Sequence, residues 1–161
     1  TYYRNVFASK EELKEAIKTI YPEEFKLIHG DCTFSNLMFD TFNMKAILID
    51  PRGYFGKTKF YGDADYDWAK LYYSIKGEYD QFNRKKFTLD IKEKEVELAI
   101  KPNNWSDMED FFFECLPQVS RYKIKLLHAI IWLSLTTYVW EDYDSICGAF
   151  YNGVLKLGEV L

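Results

Sequence analysis

The chain has little of what many functional classes require. Among its 161 residues only three are cysteine, Cys32, Cys115 and Cys147, and no two form a CxxC pair. This argues against a disulfide framework or a cysteine zinc site and for a reducing compartment. His29 and His128 are the only histidines. A metal-dependent phosphoesterase needs further imidazole ligands and is therefore a distant third choice. No signal peptide is visible, so a cytoplasmic location is expected. The net charge of −4 implies no surface for nucleic acid or anionic membrane. The longest apolar stretch, 126–139, is broken by His128, Ser134, Thr136 and Thr137, too short and too polar for a membrane span. Repeats, charge blocks and low-complexity linkers are lacking. Glycine is sparse, and none precedes Gly30.

What is present begins with a sizeable core for a single domain: 48% of residues are hydrophobic and 19% aromatic. Residues 27–53 organise the rest, reading LIHGDCTFSNLMFD, TFNMKA, then ILIDPRG. Apolar runs flank a polar block, His29-Gly30-Asp31, and Asn36 lies five residues beyond Asp31. A second apolar run, 46–49, ends in Asp50. The pattern predicts strand, polar loop, strand, turn and strand, with Asp31, Asn36 and Asp50 at the ends of short buried elements.

Phosphoryl transfer needs a carboxylate to orient the acceptor hydroxyl and oxygen ligands for Mg²⁺ on the nucleotide phosphates. The protein-kinase catalytic loop sets Asp and Asn five residues apart, with a metal-binding Asp on the following hairpin. HGD-CTFS-N repeats that interval, and IDPRG stands where the metal-binding acid belongs. Further on, Gly62-Asp63-Ala64-Asp65-Tyr66-Asp67-Trp68-Ala69 supplies a Gly-Asp-x-x-x-Asp-apolar-Ala stretch. Together these resemble the aminoglycoside phosphotransferase and choline kinase family, the small-molecule branch of the kinase-like fold. The wording IDPRGYFG and YGDADYDWAKL looks most like a subgroup among bacterial capsule and surface-polysaccharide gene products.

The resemblance implies an α+β, mostly helical C-terminal lobe of a protein-kinase-like fold, residues 1–161 forming one lobe. Asp31 is then the catalytic base, Asn36 and Asp50 hold Mg²⁺, and ATP or another nucleoside triphosphate is the donor. The acceptor is a hydroxyl of a small molecule such as a sugar, polyol or amino alcohol. His29 supports the loop, and Asp67 accepts hydrogen bonds from its backbone; the plain reading of Asp67 is a helix-start acid favoured by the helix dipole. Arg52 fits either a phosphate contact or an ion pair bracing its loop. The first 28 residues cannot build a nucleotide-clamping N-lobe, and the chain opens on Thr1, so an upstream lobe of the same polypeptide is expected. The alternative is a non-catalytic kinase-like binding or regulatory module fused to another enzyme. Retention of Asp31, Asn36 and Asp50 together speaks against it.

Local patterns fill in the lobe. Ser9 and Glu12 make a capping box for a helix over 9–20, stopped by Pro22. Residues 63–76 predict a helix with Asp63 as N-cap, Trp68, Leu71, Tyr72 and Ile75 on one face, and Gly77 ending it. Alternation at Phe87, Leu89, Ile91 and at Val96, Leu98, Ile100 predicts a second β-hairpin, an insertion in the helical lobe; a helix over 93–99 competes. Ser106 with Glu109 predicts a capped helix whose apolar face is Phe112, Cys115, Leu116 and Val119. Residues 121–140 predict a buried central helix, with His128 a core residue. A last helix, 144–161, is expected to turn Ile146, Ala149, Phe150 and Leu157 inward. Glu141, Asp142 and Asp144 form an acidic exit, suited to a solvated loop and N-cap or to a cationic acceptor. The acceptor pocket is expected between the Asp31 loop and the central helix, walled by Trp132 and Tyr138. Cys32 is read as packing.

Overall fold

The computed structural model describes residues 9–138 and 142–161. Its elements in order are α1 (Lys10–Thr19), β1 (Lys26–Leu27), β2 (Leu37–Asp40), β3 (Lys45–Leu48), β4 (Tyr54–Phe55), β5 (Thr58–Lys59), β6 (Tyr61–Gly62) and α2 (Ala64–Ile75). Then follow α3 (Tyr79–Asn83), β7 (Phe87–Ile91), β8 (Val96–Ile100), α4 (Glu109–Glu114), α5 (Arg121–Leu135) and α6 (Tyr143–Val160). The fold is α+β and rich in helix. Its described strands pair only two by two, all antiparallel: β1 with β6, β2 with β3, β4 with β5 and β7 with β8. No helix among the described residues is long and apolar enough to cross a membrane.

Helix α5 is the centre, with α2 and α6 packed along it. Ile124, Ala129 and Trp132 are fully enclosed. One apolar cluster joins Tyr72, Tyr73, Phe82, Phe112, Phe113, Leu127, Ile131 and Trp132; a smaller one joins Ala16, Leu126, Ala129, Val154 and Leu157. Burying an aromatic side chain of this size stabilises the fold by roughly 1.5–3 kcal/mol, so the aromatic cluster is a main source of its stability. His128 is a core residue, as expected: it is buried and its Nε2 accepts the indole N–H of Trp132 at 2.9 Å. Burial pushes its imidazole down to about 3, so it stays neutral.

Several local expectations need correction. Gly77 does not end α2 as a left-handed cap; the left-handed residue is Glu78, at φ 57°. Gly77 is needed for close approach, since a Cβ there would sit 2.4 Å from the Tyr73 carbonyl oxygen and 2.5 Å from His128 Nε2. Ser106 caps nothing with its side chain; it opens a 3₁₀ turn, Ser106–Met108, that runs into α4. Cys115 is exposed, and Phe113 takes the inward place beside Phe112. On α6, Phe150 faces solvent, while Gly148, Asn152 and Gly153 lie inside with Ala149 and Leu157. The central helix stops at Leu135, capped at Thr136 and followed by turn residues 136–138, short of the expected 140; Val139, Trp140 and Glu141 lie outside the described residues.

The largest departure concerns the stretch 27–53. Its strands are not buried. Leu27 is 72% exposed, Phe42 92% and Met44 72%, and every residue of β3 is exposed. The reason is topological. A two-stranded ribbon turns side chains to both faces, and among the described residues neither face has a sheet or helix laid over it. Met38, Phe39, Ile47, Leu48 and Ile49 are all exposed.

Candidate active site

The His29–Asn36 loop is held from below by one face of α2. Asp67 accepts the backbone N–H of His29 on Oδ2 and that of Gly30 on Oδ1, each at 2.7 Å. Lys70 Nζ lies 2.7 Å from Asp31 Oδ1. Ser74 Oγ accepts the backbone N–H of Phe34 at 3.0 Å. Residues 67, 70 and 74 share a face at helical spacing, so a single rigid element sets the loop backbone at both ends and its carboxylate in the middle. Asp80 at the start of α3 adds a fourth anchor, accepting the N–H of Ser35 at 2.9 Å. The α2 N-terminus is fixed in turn: Asp63 caps Asp65 N, and Lys123 pairs with both Asp63 and Asp65 at 2.8 Å.

His29 links this loop to the strand that carries Asp50. Its Nδ1 accepts the Asp31 N–H at 3.3 Å, which leaves Nε2 as the protonated nitrogen, donating to the Ile49 carbonyl at 2.9 Å. Gly30 takes φ +80°, and a Cβ there would lie 3.0 Å from Arg52 Cβ. This close approach lets Arg52 N donate to the His29 carbonyl at 2.8 Å.

Asn36 completes the bridge. Its Nδ2 donates to the Asp31 carbonyl at 2.9 Å and to Asp31 Oδ2 at 3.0 Å, while its own carbonyl accepts Ile49 N at 2.9 Å. With the amide nitrogen committed to Asp31, Asn36 Oδ1 is the free oxygen of that side chain. Asp50 follows Ile49 directly, is exposed, and adopts φ +56°. A left-handed backbone costs a non-glycine residue roughly 1–2 kcal/mol, least for Asn and Asp. The hairpin end thus stores a little strain where its acid is displayed.

Asp31 and Asp50 line one cavity of about 370 Å³ with Arg52, Tyr66, Lys70, Tyr73, Tyr79, Ile131, Ser134, Leu135 and Tyr138. On the α5 side, Ile131, Ser134, Leu135 and Tyr138 follow i, i+3, i+4, i+7 spacing and form one wall. Trp132 is not part of it. It is fully buried, one step round the helix, with its edge against Tyr73 and Phe82. Of the two expected walls, only Tyr138 reaches the cavity, and it is 59% exposed.

The cations in this cavity are held unusually. Lys70 is 8% exposed; besides Asp31, its ammonium meets the faces of Tyr73 and Tyr79 at 5.2 and 5.6 Å. Arg52 makes no ion pair among the described residues. Its guanidinium donates to the Tyr54 and Tyr138 hydroxyls and lies over both rings, at 5.0 and 5.4 Å. Burial and then the charge of Asp67 push the Cys32 thiol up to about 12, which removes it as a nucleophile.

Asp31, Asn36 and Asp50 are thus brought to one end of the β2–β3 hairpin, with His29 and Asp67 behind them. Lys70 and Ser74 escaped the sequence reading. Their signal was present as a polar stripe at 67, 70 and 74 inside an otherwise apolar helix. Of the acidic exit, Asp142 is bound to Lys85 and Ser145, and with Asp144 it borders a different depression beside Phe87 and Leu89. As for donor chemistry, the Asp50 carboxylate and Asn36 Oδ1 are hard oxygen ligands of the kind Mg²⁺ selects. No group of three or more His, Cys, Asp or Glu side chains suited to a metal occurs among the described residues, so such an ion would rest on one carboxylate and one amide, with water and phosphate oxygens for the remainder. Compared with protein-family models, curated proteins and solved structures, the chain finds no match.

Proposed function

We propose that this chain is the catalytic and acceptor half of an ATP-dependent phosphotransferase acting on a hydroxyl of a small molecule, built as the C-terminal lobe of a kinase-like fold. The observation that carries the reading is the joining of Asp31, Asn36 and Asp50 through Asn36 Nδ2 and the Asn36–Ile49 backbone bond, beside a cavity of sugar-like size.

In this reading Asp31 orients the acceptor hydroxyl and takes up its proton as the phosphoryl group leaves the nucleotide. Lys70 and Asn36 each occupy one of its oxygens and fix the carboxylate plane, leaving its cavity-facing lone pairs for the acceptor. Asn36 and Asp50 would hold Mg²⁺, and the ion would supply neutralisation of charge on the phosphate oxygens. Tyr66, Tyr73, Tyr79 and Tyr138 surround the acceptor and exclude water.

The exposed apolar faces of β1, β2 and β3 adjoin this site. Bare apolar area beside a catalytic cluster favours a second lobe seated there, and a nucleotide-clamping lobe from the same polypeptide is the natural occupant. The test is transfer of label from ATP radiolabelled at its γ-phosphate, with Mg²⁺ and a pool of sugars and polyols, using the natural polypeptide. A stable labelled phosphate ester is expected, and its yield collapses in Asp50→Ala. Failure to form any ester, with or without added acceptor, overturns the reading.

A further inference from the structure

The charges around the cavity narrow the acceptor, if the phosphotransferase reading above holds. An amine-bearing acceptor is recognised through free carboxylates or open aromatic faces. Among the described residues the cavity has only two carboxylates, Asp31 and Asp50. The first is neutralised by Lys70 at 2.7 Å, and the second is the metal ligand of the proposed reaction. Three of the four lining tyrosines already meet a cation: Lys70 lies over Tyr73 and Tyr79, and Arg52 over Tyr138; Tyr66 packs edge-on against Phe55 instead. The protein's own cations therefore stand where the ammonium of an amino alcohol or amino sugar would stand.

What remains suits the opposite charge. Arg52 carries a guanidinium with no carboxylate partner among the described residues, anchored by two phenol oxygens that contribute no negative charge. Ser134 adds an exposed neutral hydroxyl on the α5 wall. We infer that the acceptor is a neutral or acidic polyhydroxy compound, a sugar, polyol or their carboxylate or phosphate derivative, and that amines are excluded by Lys70 and Arg52. Asp31 takes the hydroxyl end and Arg52 the acidic end.

The test uses three probes of equal carbon number: glycerate, glycerol and 3-aminopropane-1,2-diol. Each is titrated into the natural polypeptide, with Mg²⁺ and ADP present so that Asp50 is engaged, while the methyl resonances of Ile131 and Leu135, on the cavity wall, are followed by NMR. A unit charge a few ångströms from an unscreened cation shifts affinity by at least about tenfold at protein-surface dielectric. Glycerate is expected to bind at least about tenfold tighter than the aminodiol, with glycerol between them. Arg52→Gln is expected to flatten the series, and Arg52→Gln with Lys70→Met to invert it; the wild-type ranking decides the matter even where a variant folds poorly. Equal or tighter binding of the aminodiol, or no saturable shift from any probe, overturns the inference. Adding Mg²⁺ and ATP to the natural polypeptide separates the two claims. Phosphorylation of the aminodiol sinks this inference and leaves the phosphotransferase intact. Binding of glycerate without transfer to any hydroxyl does the reverse.

Discussion

Lys70 Nζ and Asp31 Oδ1 lie 2.7 Å apart, and of the two side chains it is the lysine that is buried, 10% exposed against 37%. A lysine is rarely so enclosed unless paired. The Asp31 carboxylate and the faces of Tyr73 and Tyr79 supply that pairing, so the aspartate is fixed from the protein side and open from the cavity side. Substituting Lys70→Met keeps the stem's volume and removes the charge. Because Asp31 is more than a third exposed, the loss falls well short of the 3–5 kcal/mol typical of a broken buried pair, and a change of about 1–2 kcal/mol is expected in urea denaturation. Turnover is expected to fall by about 10²-fold through misplacement of Asp31, with nucleotide affinity unchanged. Lys70→Arg recovers part of it.

Asp67 is the second support. It accepts two charge-assisted hydrogen bonds from the loop backbone at 2.7 Å. A hydrogen bond to a charged group contributes about 1.5–3 kcal/mol, so Asp67→Ala is expected to cost roughly 3 kcal/mol in denaturant unfolding. Hydrogen exchange at the His29 and Gly30 amides separates this from general destabilisation. Those two amides are expected to lose protection first, while the α5 amides follow the global stability. Unchanged exchange at both contradicts the role assigned to Asp67.

A pH dependence follows from His128. Burial holds its pKa at about 3, below the ordinary value of 6.5. The unfolded chain therefore binds a proton that the folded chain refuses. Stability from this group is complete above about pH 6.5 and declines as pH falls from there toward 3, with a slope near 1.4 kcal/mol per pH unit. His128→Gln is expected to lower stability at neutral pH and to flatten this limb. Denaturation midpoints measured between pH 7 and 4 read both effects, and an unaltered slope in the variant contradicts the assignment.

Helices α1, α2, α4, α5 and α6, the second hairpin and the acid–amide–acid spacing were legible in the sequence, because each rests on local periodicity, capping or spacing; the short α3 and the strands β4 to β6 were not. The Ser9 cap, the Asp63 cap and the β7–β8 register are of this kind. Asp67 was legible only through the resemblance, since no local rule says that a helix-start acid turns back to a loop 37 residues away. Burial of the β2–β3 ribbon was misjudged because apolar alternation reports what a face can bury, not what covers it. Trp132 was misplaced for a related reason: on a helix that is apolar all round, periodicity does not tell the cavity face from the core face. Nothing local marks Lys70 as a partner of Asp31, which lies 39 residues before it.

The most direct test of the central claim is transfer by Asp31→Asn in the natural polypeptide, with Mg²⁺, ATP and the best neutral or acidic acceptor. The substitution keeps the shape and the Asn36 contact but removes the base together with its ion pair to Lys70. Turnover is expected to fall by about 10²–10⁴-fold, the usual contribution of a general base, while nucleotide binding stays within about twofold. Near-normal turnover in Asp31→Asn contradicts the account.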